Sequence, residues 1–179
     1  LGNLDQALAS TLKSLELKPD DPTALMNLGG IYKDHGNLDQ ALASTLKSLK
    51  LKPDNYEALR SLGIIFLGLR KYSESVHALK KALEYEPSNA SIYFDLSNAY
   101  NAAKESELAF SAINSAIDKD PRNAYAHSLK GFLLLESGDL EEAKKALQTS
   151  LELDSKIADT YKYLSILYCL KGDKEKSLK

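Results

Sequence analysis

What this chain lacks narrows its chemistry first. Cys169 is the single cysteine, so there is no intrachain disulfide and no thiolate metal site. The charges nearly cancel: 23 Lys and Arg against 25 Asp and Glu give a formal net charge of −2. That balance lacks the basic excess of a nucleic-acid-binding surface. Long apolar runs are missing too. Runs such as Phe132–Leu135 reach only about a single helical turn, where roughly 20 residues are needed to span a bilayer. No glycine-rich phosphate loop is present. The three histidines, His35, His77 and His127, fall at unrelated positions, and no pair has the i, i+4 spacing of a helical metal site. Neither metal nor other cofactor is expected, and no catalytic residue is assigned. Glu141–Glu142 and Asp20–Asp21 read as solvated faces and helix starts. Cys169 reads as a small apolar filler. The chain opens on Leu1, shows no signal-peptide pattern, and fits a cytoplasmic setting.

What is present is a period. Pro19, Pro53, Pro87 and Pro121 stand 34 residues apart, and the sequence around them repeats. Gly2–Lys18 returns as Gly36–Lys52 with one change, Glu16 becoming Lys50. A fixed period of this size marks a solenoid whose units bury their apolar faces only against their neighbours. Registered on the prolines, the chain is a single array. A half unit over 1–21 supplies a second helix, full units follow at 22–55, 56–89, 90–123 and 124–157, and an incomplete unit occupies 158–179.

Each full unit carries two runs of apolar residues at helical spacing, split by a short polar break. In 22–55 the first run is Leu25, Leu28, Ile31 and Tyr32, and the second includes Leu38, Ala41, Leu42, Leu46 and Leu49. Gly36–Asn37 separates them, a helix stop followed by a restart. The unit is an αα-hairpin. Asp21, Asn55, Asn89 and Asn123 precede the first helices as N-caps, each worth ~1 kcal/mol. The ladder prolines end the second helices by disfavouring helical geometry in the residue before them. Gly29, Gly63, Ser97, Gly131 and Ser165 share one small site on the first helix; Ala7, Ala41, Ser75, Ala109 and Ala143 share one on the second. Helices meet closely there. Ser155 and Ile157 replace proline and cap, which predicts weaker helix termination at that junction.

The motif Leu25-x-x-Leu28-Gly29-x-x-Tyr32 with Ala41 and Pro53 resembles the tetratricopeptide repeat. So do Leu59-x-x-Leu62-Gly63-x-x-Phe66, Tyr93-x-x-Leu96-Ser97-x-x-Tyr100 and Tyr161-x-x-Leu164-Ser165-x-x-Tyr168. The unit 124–157 departs, with His127 and Lys130 at apolar positions and Leu129 shifted by one. The resemblance implies an all-α, right-handed superhelical solenoid of antiparallel hairpins whose first helices line a concave groove. Offsets free of packing then place Asn27, Lys33, Arg60, Ile64, Leu67, Phe94, Asp95, Asn98, Asn101, Phe132 and Leu135 in that groove. Asn side chains can pair with a peptide backbone of any sequence, and apolar patches select side chains.

The family's chaperone-binding type grips a carboxylate with basic residues at successive offsets. Those offsets here hold Met26 and Gly30, Arg60 and Ile64, Phe94 and Asn98, so the clamp is incomplete. The asparagine ladder of glycosyltransferase solenoids is broken after Asn27 by Ser61, Asp95, Leu129 and Tyr163. The expected function is a non-catalytic scaffold holding a protein or peptide, with neither nucleic acid nor membrane as partner. The alternative is an oligomerising or substrate-recruiting segment of a larger enzyme such as a transferase. Apolar residues at the two ends also predict self-association.

Overall fold

The structure, a computed structural model, describes residues 2–177, with side chains placed over 4–172. Among the described residues there are ten helices and no strand. They run α1 Gly2–Leu17, α2 Pro22–Asp34, α3 Leu38–Leu51, α4 Tyr56–Gly68, α5 Tyr72–Tyr85, α6 Ala90–Ala102, α7 Ser106–Lys119, α8 Ala124–Ser137, α9 Leu140–Leu153 and α10 Ala158–Ser177. The chain forms two compact units, Leu1–Ser88 and Asn89–Lys179. In the first, α2 pairs with α3 and α4 with α5 as hairpins, with α1 packed on α2 and α3 on α4. In the second, the hairpins are α6/α7 and α8/α9; α7 packs on α8, and α10 lies on both α8 and α9.

The four N-caps act as their residue types predict. Asp21 Oδ1 accepts from the amides of Thr23 and Ala24 at 2.9 and 3.2 Å. Asn55 and Asn123 accept from Ala58 and Ala126 at 3.1 and 3.0 Å, and Asn89 from Ser91 and Ile92. Lys18 and the capped amides together hold the Asp21 carboxyl below its ordinary value, the Ala24 amide contributing most.

Every hairpin turns in the same way, whatever its sequence. Asn37, Lys71, Glu105 and Asp139 each donate an amide back across the turn to the carbonyl of Tyr32, Phe66, Tyr100 and Leu134, at 2.8–2.9 Å. This is the Schellman closure, and it requires a left-handed residue just before the donor. Gly36 and Gly138 supply it at φ 78° and 87°, but Arg70 and Lys104 adopt it at 60° and 65° despite carrying side chains. Each stores ~1–2 kcal/mol of backbone strain.

Second helices end two residues before the ladder proline, and Lys52, Glu86 and Asp120 in between leave helical geometry, with φ between −131° and −138°. The junction without proline behaves alike, contrary to the weaker termination its sequence predicts. α9 stops in register at Leu153, and Asp154 is extended at φ −150°. Asp154 Oδ1 takes the Lys156 amide at 2.9 Å, as Asp120 Oδ1 takes the Arg122 amide across Pro121, and the buried Ile157 anchors the chain beyond it.

Small residues sit where helices touch, and they do so as pairs. A methyl on Gly63 would lie 2.5 Å from Leu79 Cγ, and on Gly131 2.6 Å from Leu147 Cδ2. In α4/α5 the Ser75 hydroxyl donates to the Gly63 carbonyl at 2.7 Å. In α6/α7 the hydroxyl has changed sides: Ser97 donates to the Ala109 carbonyl at 2.9 Å. All three of Ser75, Ser97 and Ala109 are fully buried.

Candidate functional site

A first helix of each hairpin buries one face on its second helix and leaves part of another in reach of solvent. In the unit 1–88 that second face carries Asn27, which is exposed, and Lys33, Arg60, Ile64 and Leu67, which are half-buried. Lys33 is already engaged, its Nζ 3.2 Å from Asp34 Oδ1. Beside Asn27, the Met26 sulfur lies 3.6 Å from Asn55 Nδ2, so the residue capping α4 also fastens α2.

In the unit 89–179 the corresponding positions separate into open and closed ones. Phe94, Asn98, Asn101 and Phe132 are half-buried. Asp95 and Leu135 are not open: they are only 9 % and 7 % exposed. Leu135 lies in a core with Leu140, Ala143, Leu147 and Leu167, because α10 covers that part of α8. It packs rather than lining a groove, which corrects its sequence-based placement. Leu129, one place out of pattern, is buried, while His127 stays half-buried with Nε2 3.0 Å from the Pro121 carbonyl.

Phe132 stacks on Tyr163 of α10, ring centroids 4.8 Å apart and 28° from parallel. Lys162 Nζ stands 5.9 Å from the Tyr163 ring centre. Burial pushes the Tyr163 phenol above its ordinary value, with smaller contributions from Asp159 and Glu136. Asn98 is partly committed, since its Nδ2 donates to the Phe94 carbonyl at 3.2 Å. Its side-chain oxygen is left to accept. Asn101 borders a cavity of about 320 Å³ with Lys104, Phe110, Leu133 and Glu136.

A larger apolar cavity, about 600 Å³, was not anticipated. It lies between α3, α4 and α5, with Leu59 and Leu62 at its floor and Leu46, Phe66, His77 and Lys81 around it. Its one signal in the sequence is Leu46, 46 % exposed at an offset where later units carry Lys80, Asn114 and Gln148. Of the other histidines, His35 is half-buried with Nε2 3.9 Å from Asp5 Oδ1. Among the described residues, no three His, Cys, Asp or Glu side chains converge as metal ligands, and no helix is long and apolar enough to cross a membrane.

The sequence profile described as Tetratricopeptide repeat matches residues 1–56 and 60–124, and a second profile of the same description matches 112–145. No curated protein matches the chain. Among solved structures, the thermophilic TPR protein TTC0263 of Thermus thermophilus is 22% identical, covering 93% of this chain and 92% of its own, with a TM-score of 0.82. MamA from Desulfovibrio magneticus RS-1, residues 41 to the end, is 24% identical over 88% of this chain and 89% of its own, at 0.76. YrrB, described as a TPR protein with an unusual peptide-binding site, is 23% identical over 96% and 89%, at 0.71.

Proposed function

The chain belongs to the tetratricopeptide repeat family, and from that premise we propose that it is a non-catalytic scaffold that holds an extended peptide segment against its first helices. The observation that carries this reading is that the first helices of the second unit keep half-buried groups suited to a peptide: an aromatic stack on α8 and α10, and on α6 Asn98, whose Oδ1 is left to accept, with Asn101. Phe132 and Tyr163 offer an apolar anchor for one side chain of the peptide. Asn98 Oδ1 and the Asn101 amide offer backbone pairing that does not depend on peptide sequence. In the first unit Arg60, Ile64 and Leu67 are likewise half-buried on their own first helix, α4. Repeats of this family generally serve as scaffolds, and YrrB carries a peptide-binding site. A near-neutral chain suits a mixed or uncharged peptide better than nucleic acid or a membrane surface.

The test is capture from a lysate by the wild-type chain and by a Phe94→Ala/Asn98→Ala/Phe132→Ala variant of unchanged helicity, followed by titration of the captured partner's binding segment. Loss of the partner with the variant, and affinity that falls at least tenfold, supports the groove. Equal capture by both proteins refutes it.

A further inference from the structure

Beside the ladder positions, side chains reach back and close on a backbone carbonyl. Lys47 Nζ stands 3.0 Å from the Pro19 carbonyl and 3.2 Å from Asp20 Oδ1. His127 Nε2 lies 3.0 Å from the Pro121 carbonyl, and Tyr161 donates its hydroxyl to the carbonyl of Ser155 at 3.0 Å. Around Pro53 the same offsets hold Leu59, matching His127 and Tyr161, and Lys81, matching Lys47. Leucine cannot make the bond, and Lys81 does not. It is half-buried, and among the described residues it has neither a hydrogen-bond nor an ionic partner. Pro53, Leu59 and Lys81 line the apolar cavity of about 600 Å³ between α3, α4 and α5.

That cavity has the size and lining of a small-molecule site, whose volumes run from roughly 300 to 1,000 Å³. All of its lining lies between residues 46 and 81, inside the array. Leu49, Leu59 and Leu62 make it apolar, and polar groups gather along one edge, on α5. His77 and Lys81 are four residues apart and so share one face of that helix. Glu74, the carboxylate in the lining, sits seven residues before Lys81, about 10 Å along the helix axis. An apolar hollow with an unpaired ammonium at its edge suits an apolar tail that carries an anionic head.

We propose that this cavity binds a small apolar monocarboxylate, of which a medium-chain fatty acid is the simplest. The carboxylate accepts from Lys81 Nζ and, through its second oxygen, from the His77 ring. The chain of the ligand lies over Leu59 and Leu62, in space that larger side chains reach across at Pro121 and Ser155. Leu46, exposed in the free protein, is covered by it. No residue of the cavity belongs to the peptide-holding face of α6, α8 and α10, so this inference stands apart from that reading.

Isothermal titration calorimetry with sodium decanoate, kept below its micelle concentration, and with decan-1-ol tests it on the chain and two variants. Wild type should bind one decanoate per chain. Lys81→Met keeps the apolar stem and removes the charge, so it should weaken decanoate about tenfold and leave decan-1-ol within about twofold. Leu46→Gln removes apolar cover and should weaken both ligands by about threefold or more. Polar residues already stand at these offsets elsewhere in the chain, Ser115 and Thr149 for Lys81 and Gln148 for Leu46, so the fold tolerates them, and circular dichroism checks it. Absence of saturable decanoate binding overturns the proposal, as does more than one site per chain. So does a Lys81→Met variant that holds decanoate as tightly as wild type or loses the alcohol equally. A Leu46→Gln variant that binds both ligands unchanged puts them outside the cavity and refutes it as well.

Discussion

Replacing Gly29 and Gly30 by alanine, one at a time, sets two adjacent positions of α2 against each other. Both substitutions gain the same helix propensity, ~0.8–1 kcal/mol. Around Gly30 a new methyl meets nothing within 4 Å, so Gly30→Ala should stabilise by about that amount. At Gly29 the methyl runs into Thr45 Oγ1 and stands 3.2 Å from the Ala41 carbonyl oxygen. Thr45 is fully buried, and overpacking of this kind costs ~1–3 kcal/mol. The two variants should differ by that cost, since the propensity gain cancels between them. Urea unfolding followed by circular dichroism reads it: with a slope of ~2 kcal/mol per molar, the midpoints separate by ~0.5–1.5 M, Gly29→Ala lower. Thr45 Oγ1 has no hydrogen-bond partner, so Thr45→Ala removes the obstructing atom without breaking a bond. In that background most of the gap should close. If Gly29→Ala is as stable as Gly30→Ala in the parent chain, the account of close helix approach at this site is wrong.

Arg70→Gly and Lys104→Gly should each stabilise by ~0.5–1 kcal/mol, the relief of left-handed strain less the added freedom of the unfolded chain, read as a higher urea midpoint. Thr160→Val should destabilise by ~1–3 kcal/mol in the same assay. The buried Thr160 hydroxyl lies 2.9 Å from both Ser128 Oγ and Ser150 Oγ, and its loss leaves buried hydroxyls short of a partner. Because burial raises the Tyr163 phenol, the folded chain keeps a proton that the unfolded chain releases. The stability tied to that proton is whole below about pH 10 and is lost as pH rises from there through the folded value. Unfolding midpoints against alkaline pH should therefore fall less steeply for Tyr163→Phe than for wild type.

Helices and caps were legible because they depend on local chemistry that recurs. Asn89 caps α6 for the same reason Asn123 caps α8, and the period makes each instance corroborate the next. The turns at Arg70 and Lys104 were less legible. Nothing in Arg or Lys asks for a left-handed backbone; packing of α4 on α5 and α6 on α7 imposes it. The ending of α9 without proline shows the same override by Asp154 and Ile157. Equal offsets failed as a guide to exposure at Leu135, since exposure is settled by which helix arrives afterwards, and α10 arrives there. Gly172 is a related case. It occupies the offset of Gly36 and Gly138, yet α10 runs through it without a left-handed turn. Glycine permits a turn of this kind and does not alone compel it.

The hydroxyl that sits on α5 in one hairpin and on α6 in the next has a consequence for how such a chain can be recombined. A crossover between units leaves every Gly63–Ser75 and Ser97–Ala109 couple intact. A crossover inside a hairpin does not: joining the Ser97 helix to the Ser75 helix crowds two hydroxymethyl groups into space shaped for one. Joining the Gly63 helix to the Ala109 helix only recreates the glycine–alanine couple that α2/α3 and α8/α9 already carry at Gly29/Ala41 and Gly131/Ala143. Genetic shuffling, natural or engineered, is therefore least costly when it breaks the chain between the ladder proline and the next cap, and the heritable module is the whole hairpin.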